Sequence, residues 1–175
     1  LVFVGELRAI KGVDLLIEAL AQLHAAGRPV TLTLAGDGEQ TEALKAQIAR
    51  LGLTGAVRFI GHVAPRFGFA HGRLLVVPSR ADSMPYVVIE AAAAARPMIA
   101  ARVGGIPEIF GRHSNALFTG HDPAAIAAAI AAALDDPVAA LRRADALRTD
   151  VMRQFSQSTM VAGVLAGYAA AFAAR

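Results

Sequence analysis

The stretch Leu74-Leu75-Val76-Val77-Pro78-Ser79-Arg80-Ala81-Asp82-Ser83-Met84-Pro85-Tyr86-Val87-Val88-Ile89-Glu90, continued by Ala91 to Ala95 and by Arg96-Pro97-Met98-Ile99-Ala100-Ala101, decides the fold. Leu74 to Val77 is a short apolar run closed by proline and reads as a strand. Tyr86 to Ala95 has the length and composition of a helix, and Met98 to Ala101 is a second β-type run. Strand, loop, helix, strand is the repeating unit of an α/β domain with a parallel sheet. The same alternation extends outward in both directions. Upstream, Val2 to Val4 is a strand, and a helix over about Gly12 to Ala26 carries Val13, Leu16, Ile17, Leu20 and Leu23 on one stripe before Gly27 ends it. Val30 to Ala35 is the next strand, followed by the turn Gly36-Asp37-Gly38, a helix over Thr41 to Leu51 and a strand over Val57 to Ile60. Downstream, Gly104 and Gly105 lead into Pro107 as the first residue of a short helix. Ala116 to Phe118 is a last short strand, and the chain from Pro123 is helical, broken near Pro137 and around Phe155 to Ser158. The expectation is an α/β fold: a Rossmann-like parallel sheet of about six strands, helices on both faces and a helical C-terminus. It is one domain over residues 1–175, with the helical part from about residue 123. Ligands of such sheets sit at the carboxyl ends of the strands, which here means the loops Gly5–Lys11, Gly36–Glu39, Gly61–Pro65, Ser79–Pro85 and Arg102–Pro107.

Composition excludes several classes. The chain has 175 residues, 55% of them hydrophobic, with 16 glycines and 8 prolines in no regular period, which rules out a disordered or collagen-like chain. Much of the apolar content is alanine, so the mean hydropathy of +0.49 overstates greasiness. The apolar stretch Val161 to Ala174 falls short of the roughly 18 residues of a membrane span. There is no cysteine, hence no disulfide, thiolate nucleophile or cysteine-based zinc site. That fits a cytoplasmic protein, and no signal peptide is visible. From a start without Met that already reads as a strand, the expectation is a piece of a longer protein. The pI is near 9.9, yet 17 basic against 14 acidic residues and 6% aromatics do not make a nucleic-acid binder. Arg142, Arg143, Arg148 and Arg153 form either an ordinary solvated face or a patch for anionic lipid headgroups at a membrane surface.

Two constellations carry chemistry. In Gly5-Glu6-Leu7-Arg8-Ala9-Ile10-Lys11-Gly12, two cations flank a strand-to-helix turn. They are either a phosphate grip, with Lys11 a point charge and Arg8 a fork, or two solvated surface cations. In the second, Asp82 lies in a loop above the sheet and Glu90 one turn into an apolar helix. A carboxylate there is solvated, holds a structural partner, or meets sugar hydroxyls. Gly36-Asp37-Gly38 lacks the third glycine of the dinucleotide fingerprint and follows the second strand, not the first. His62, beside Gly61, is the one histidine at an expected strand exit. There is no Walker lysine, nucleophile elbow, zinc-type histidine pair or Asp-x-Asp.

In order, Gly5-Glu6-Leu7, Lys11-Gly12, Ala35-Gly36-Asp37-Gly38, Phe59-Ile60-Gly61-His62-Val63, Pro78-Ser79, Asp82 with Glu90, and Val103-Gly104-Gly105-Ile106-Pro107-Glu108 resemble the C-terminal half of group 1 glycosyltransferases. These are the retaining, GT-B-fold enzymes of glycosyltransferase family 4, and the resemblance covers about Val2 to Ala133. It implies a domain that binds a nucleoside diphosphate sugar, UDP- or GDP-linked. A separate N-terminal domain, absent from this chain, would supply most of the acceptor site for a saccharide or lipid. Carried over by position, Lys11 holds the diphosphate and Gly5 and Gly36 belong to the donor site. The backbone of Gly61, His62 and Val63 meets the base, and Glu90 binds ribose. Asp82 holds hydroxyls of the transferred sugar, and amides of Ser83, Met84, Pro85, Tyr86 and Val87 face the phosphates and sugar. The family usually has Arg where Glu6 stands, so Arg8 is the expected replacement, and Asp82 replaces the more usual Glu. Arg96 and Ala116 stand where glycine is usual; each costs on the order of 1 kcal/mol if its site needs positive φ.

The resemblance implies a hexosyltransferase that transfers the sugar with retention and needs neither metal nor cofactor, with Lys11, Arg8 and Asp82 as its catalytic residues. Cations stabilise the departing diphosphate, and Asp82 orients the sugar. The other readings are a donor-binding module without turnover on its own and a dinucleotide-dependent oxidoreductase.

Overall fold

The five apolar runs from Val2 to Ala100 become five parallel strands of one sheet in the computed structural model, which describes residues 1–173. The last two positions of the expected 1–175 domain lie outside the described residues. The elements are β1 (Val2–Val4), α1 (Val13–Ala25), β2 (Leu32–Ala35), α2 (Thr41–Arg50), β3 (Val57–Phe59), α3 (Pro65–Gly68), β4 (Leu75–Val77), α4 (Tyr86–Ala93), β5 (Met98–Ala100), α5 (Ile106–Phe110), α6 (Pro123–Asp135), α7 (Pro137–Gln154) and α8 (Gln157–Ala173). Strand order is β3-β2-β1-β4-β5. The chain therefore builds outward from β1 to β3, then returns to lay β4 on the other side of β1.

Strands of three or four residues suffice because both faces are covered, so nearly every strand position is apolar. Successive side chains point to opposite faces. Phe3, Leu34, Val76 and Ile99 pack into one core with α1, α2 and α6. Val2, Val4, Leu75 and Val77 pack into a second with α4, α5 and α7. The break near Pro137 is two capped starts in succession. Asp122 accepts from the Ala124 amide at 3.0 Å and Asp136 from the Ala139 amide at 2.8 Å, and each aspartate is followed by proline at the first helical position.

The expected sixth strand is reduced to a single parallel bridge, Ala101 to Phe118. A 3-10 turn over Gly111–Ala116 takes up the first of its residues, which leaves Phe118 alone to pair before the chain turns at Gly120. The short α3 and the 3-10 turn Phe69–His71 were not visible as elements in the hydrophobic pattern.

Two expected sites of strain are absent. Neither Arg96 nor Ala116 has positive φ; the left-handed residue after α4 is Ala95, with φ 49°. Arg96 instead donates to the carbonyls of Phe69, at 2.6 Å, and Gly72. It ties the end of α4 to the turn before β4.

The four arginines expected to share a helix surface all lie on α7, but at about 100° per residue they spread around it, and only Arg142 and Arg153 align. Arg153 bonds Asp150 at 3.0 Å, an acid that also accepts from Arg112 at 2.8 Å and pairs with His113 at 3.0 Å. This knot pins α7 to the turn after α5. The hydrogen bond from His113, with the guanidinium groups of Arg112 and Arg153, holds the Asp150 carboxyl below the usual range. The helix α8 buries none of its residues. Among the described residues no single helix is long and apolar enough to cross a membrane.

Ala95 is the one non-glycine residue in the left-handed region among those described. Ala95→Gly is expected to relieve up to about 1 kcal/mol and raise Tm by about 2–4 °C in thermal denaturation. An unchanged or lower Tm would mean that the position carries no strain.

Candidate functional site

Strand order reverses between β1 and β4, and the loops leaving those two strands diverge there to open a crevice. The β1 loop rises through a 3-10 turn over Ala9–Lys11 and presents Lys11 at its end. The β4 loop presents Ser79 and Asp82. Lys11 Nζ lies 2.6 Å from Asp82 Oδ2, and Ser79 Oγ donates to the same oxygen at 3.4 Å. The Lys11 and Asp82 side chains are only 26% and 13% exposed, so this pair lies in the crevice wall and not on open surface. With both contacts on Oδ2, the Oδ1 atom is the one left to accept from a ligand.

Around the pair is a cleft of about 240 Å³ whose lining includes Gly5, Glu6, Lys11, Asp82, Pro85 and Tyr86. Its far wall is the start of α4. Pro85 precedes the helix in extended backbone and no side chain caps it. The Tyr86 and Val87 amides thus lack intrahelical acceptors and lie where Tyr86 and Val87 line the cleft. An uncapped helix start beside a lysine is a place for an anion.

Strands this short cannot hold such loops in place, and the loops hold one another. An added Cβ on Gly104 would fall 1.7 Å from the Asp82 carbonyl oxygen, at a φ of +50°, and the Gly105 amide donates to that same oxygen at 3.1 Å. The Gly-Gly turn after β5 is thus the seat of the Asp82 loop. Gly36 meets the β1 loop in the same way, with the Gly5 carbonyl oxygen 1.8 Å from where its Cβ would stand. On the α1 side Arg80, unremarked in the sequence reading, donates to both carboxylate oxygens of Asp14 at 2.7 and 2.6 Å and to the Ala9 carbonyl at 2.7 Å. Burial works to raise the pKa of Asp14, but hydrogen bonds and charge from Arg80, with nearby backbone amides, outweigh it and hold the carboxyl low.

The other expected residues divide. Arg8 does not line the cleft: β1 ends at Val4, so strand alternation does not carry to Arg8, and its guanidinium stands 3.7 Å from Glu6 with both side chains over half exposed. Ser83 and Met84 also stay out of the lining. The Ser83 carbonyl sits against Gly105, and Met84 packs on the second core. Gly61 and His62 are placed by a residue the sequence reading assigned no role: Asp37 Oδ2 accepts from the His62 amide at 2.8 Å. Val63 packs below them. Glu90 is one turn past Tyr86 on α4, on the same helix face. It is exposed and lines a neighbouring hollow of about 390 Å³ with Pro65, Arg66 and Phe69. Asp37 and Ser79 were signalled by the turn motifs that contain them; the Arg80–Asp14 pair had no sequence signal.

Comparison with known proteins gives the family. The family model for glycosyl transferases group 1 matches residues 1–136. The chain is 34% identical to a glycogen synthase of Mycobacterium tuberculosis over 98% of its own length and 42% of that relative. It is 36% identical to a D-inositol 3-phosphate glycosyltransferase of Streptomyces coelicolor over 82% of its length and 34% of the relative. It therefore spans less than half the length of these curated relatives. Anabaena HepE in complex with UDP-glucose superposes with a TM-score of 0.83 at 28% identity, over 95% of this chain and 48% of that one. The chain belongs to the glycosyl transferases group 1 family.

Two outcomes follow from the loop seating. Gly27 has positive φ but open space around its Cβ position, so Gly27→Ala should cost about 1–2 kcal/mol in denaturant unfolding. Gly104→Ala should cost about 1–3 kcal/mol more, because the added methyl meets backbone; equal losses would mean the two loops are not seated on each other. The lowered Asp14 pKa makes its contribution to stability complete at neutral pH. That contribution is withdrawn as pH falls below the ordinary carboxylate value near 4 toward the lowered native one. Acid titration of Asp14→Asn should accordingly show a shallower loss of stability below about pH 4 than the parent chain.

Proposed function

We propose that this chain binds the nucleoside diphosphate sugar donor of a retaining glycosyl transfer, and that alone it holds the donor without turning it over. The observation that carries the reading is the Lys11–Asp82 pair facing an uncapped helix start where strand order reverses. In this assignment the diphosphate lies between the Lys11 ammonium and the Tyr86 and Val87 amides. Asp82 accepts from hydroxyls of the sugar through Oδ1. The hollow lined by Glu90 takes the ribose, and the Gly61–His62 backbone, held by Asp37, takes the base. UDP is the nucleotide of choice because HepE, at 28% identity, was crystallised with UDP and with UDP-glucose.

Chemistry follows from where charge develops. As the bond to the anomeric carbon breaks, negative charge grows on the diphosphate and positive charge on the sugar ring. Groups already fixed at the leaving oxygens lower that barrier without reorganising. Lys11 and the α4 amides are such groups in this assignment. An ammonium has three N–H donors, so Lys11 keeps its bond to Asp82 while bonding phosphate. Asp82 thereby fixes the lysine as well as the sugar. Arg8 stands beside Glu6 at the cleft mouth, 3.7 Å away, in place of the direct phosphate contact first expected of it. The acceptor site belongs to the length of the relatives that this chain does not span.

Calorimetric titration with UDP, GDP and NAD tests the class: UDP should bind, and NAD binding without either nucleoside diphosphate would overturn it. Within the site, Lys11→Ala should weaken UDP by about 10- to 150-fold and uridine little; equal losses would remove Lys11 from the phosphate. Asp82→Asn should strengthen UDP, by removing a nearby negative charge, and abolish any preference for UDP-glucose over UDP.

A further inference from the structure

A second cavity lies at the opposite end of the sheet. It has a volume of about 560 Å³ and opens between β5, the turn after α5, and helices α6 and α7. Its floor includes Leu74 and Met98, at the amino ends of β4 and β5, so the depth of the sheet separates it from the donor cleft at the carboxyl ends. Its size suits a small metabolite. The polar lining consists of Arg96, Arg112, His113, Asn115 and Arg143, and no carboxylate lines it. The apolar remainder includes Met98, Phe110 and Leu147.

We propose that this cavity binds a small ligand carrying a phosphomonoester, independently of the donor. Two of its guanidinium groups are fixed in advance. Arg96 is held by the carbonyls of Phe69 and Gly72, and Arg112 by Asp150. Each uses only part of its five-donor fork, and a fork already immobilised loses less freedom on meeting phosphate. The third, Arg143, makes no hydrogen bond or ion pair among the described residues, and its charge on α7 is uncompensated. Among the described residues Asp150 is the one acid bonded to a side chain of the lining, and it is shared among Arg112, His113 and Arg153, which leaves the lining side chains net positive. Arginines lining a cavity with an apolar floor suit a molecule with phosphate at one end and a carbon skeleton at the other. The charge of Arg143 is thereby assigned to a ligand, where the sequence reading had it on a solvated or membrane-facing surface.

Arg143 is exposed and unbonded, so Arg143→Ala should leave the fold intact, which its thermal denaturation will verify. The probes are glucose 6-phosphate and inorganic phosphate, titrated calorimetrically into the parent chain, Arg143→Ala and Lys11→Ala. Glucose 6-phosphate should bind the parent and Lys11→Ala alike and lose at least about tenfold in affinity in Arg143→Ala. Sedimentation with phosphatidylcholine vesicles containing phosphatidic acid separates the two sources of a phosphomonoester. Pelleting abolished by Arg143→Ala, without binding of the soluble sugar phosphate, assigns the group to a lipid headgroup. Absence of Arg143-dependent binding to either probe overturns the proposal, as does glucose 6-phosphate binding that Lys11→Ala removes.

Discussion

Backbone packed on backbone, with no room for a side chain between, is the constraint on which the site depends. The Asp82 carbonyl sits where Gly104 would carry a methyl, and the Gly5 carbonyl where Gly36 would. Five strands of three or four residues fix only the roots of their exit loops. The loops become a surface because each is the wall of the next: β2 loop on β1 loop, β5 loop on β4 loop. Arg80, bonded to Asp14 and Ala9, closes the remaining gap between the β4 loop and α1. The Lys11–Asp82 distance is therefore set by contacts made elsewhere, which is what lets two flexible side chains meet at one defined point.

The alternation of apolar runs was enough to read the layers and the strand-exit loops that form the crevice, because burial of both sheet faces leaves few choices of residue within a strand. Local hydrogen bonding was not readable in the same way. The sixth strand looked like the others by composition, but its residues follow a 3-10 turn and only Phe118 pairs with Ala101. Glycine usually marks the left-handed residue after α4; here that residue is Ala95, and Arg96 looked out of place only because the turn comes one position earlier than supposed. Arg8 resisted placement for a related reason, since its direction depends on a 3-10 turn that no hydrophobic pattern reports. The reading put Lys11 and Asp82 on strand-exit loops and Tyr86 and Glu90 on a helix, which is where the structure has them. The supports, Asp37, Arg80 and Asp14, act through single long-range bonds that leave no period in a sequence.

The helical C-terminal part has its own logic. α6 covers one face of the sheet and α7 the other, each begun by an aspartate cap and a proline, and the Asp150 knot fixes α7 against the turn after α5. Grouping the α7 arginines as one patch came from their closeness in sequence. The helix separates them, turning Arg153 to Asp150 and Arg143 to the cavity at the amino end of the sheet.

The carboxylate beside Lys11 has one more consequence. In the proposed assignment a donor sugar would cover Asp82 with hydroxyl groups, so the carboxylate would be solvated by the ligand while the diphosphate is esterified. Beside a free nucleoside diphosphate the same carboxylate would lack those partners and face additional negative charge. A cleft built this way would hold a nucleotide sugar in preference to the bare nucleotide, through the same residue that orients the sugar.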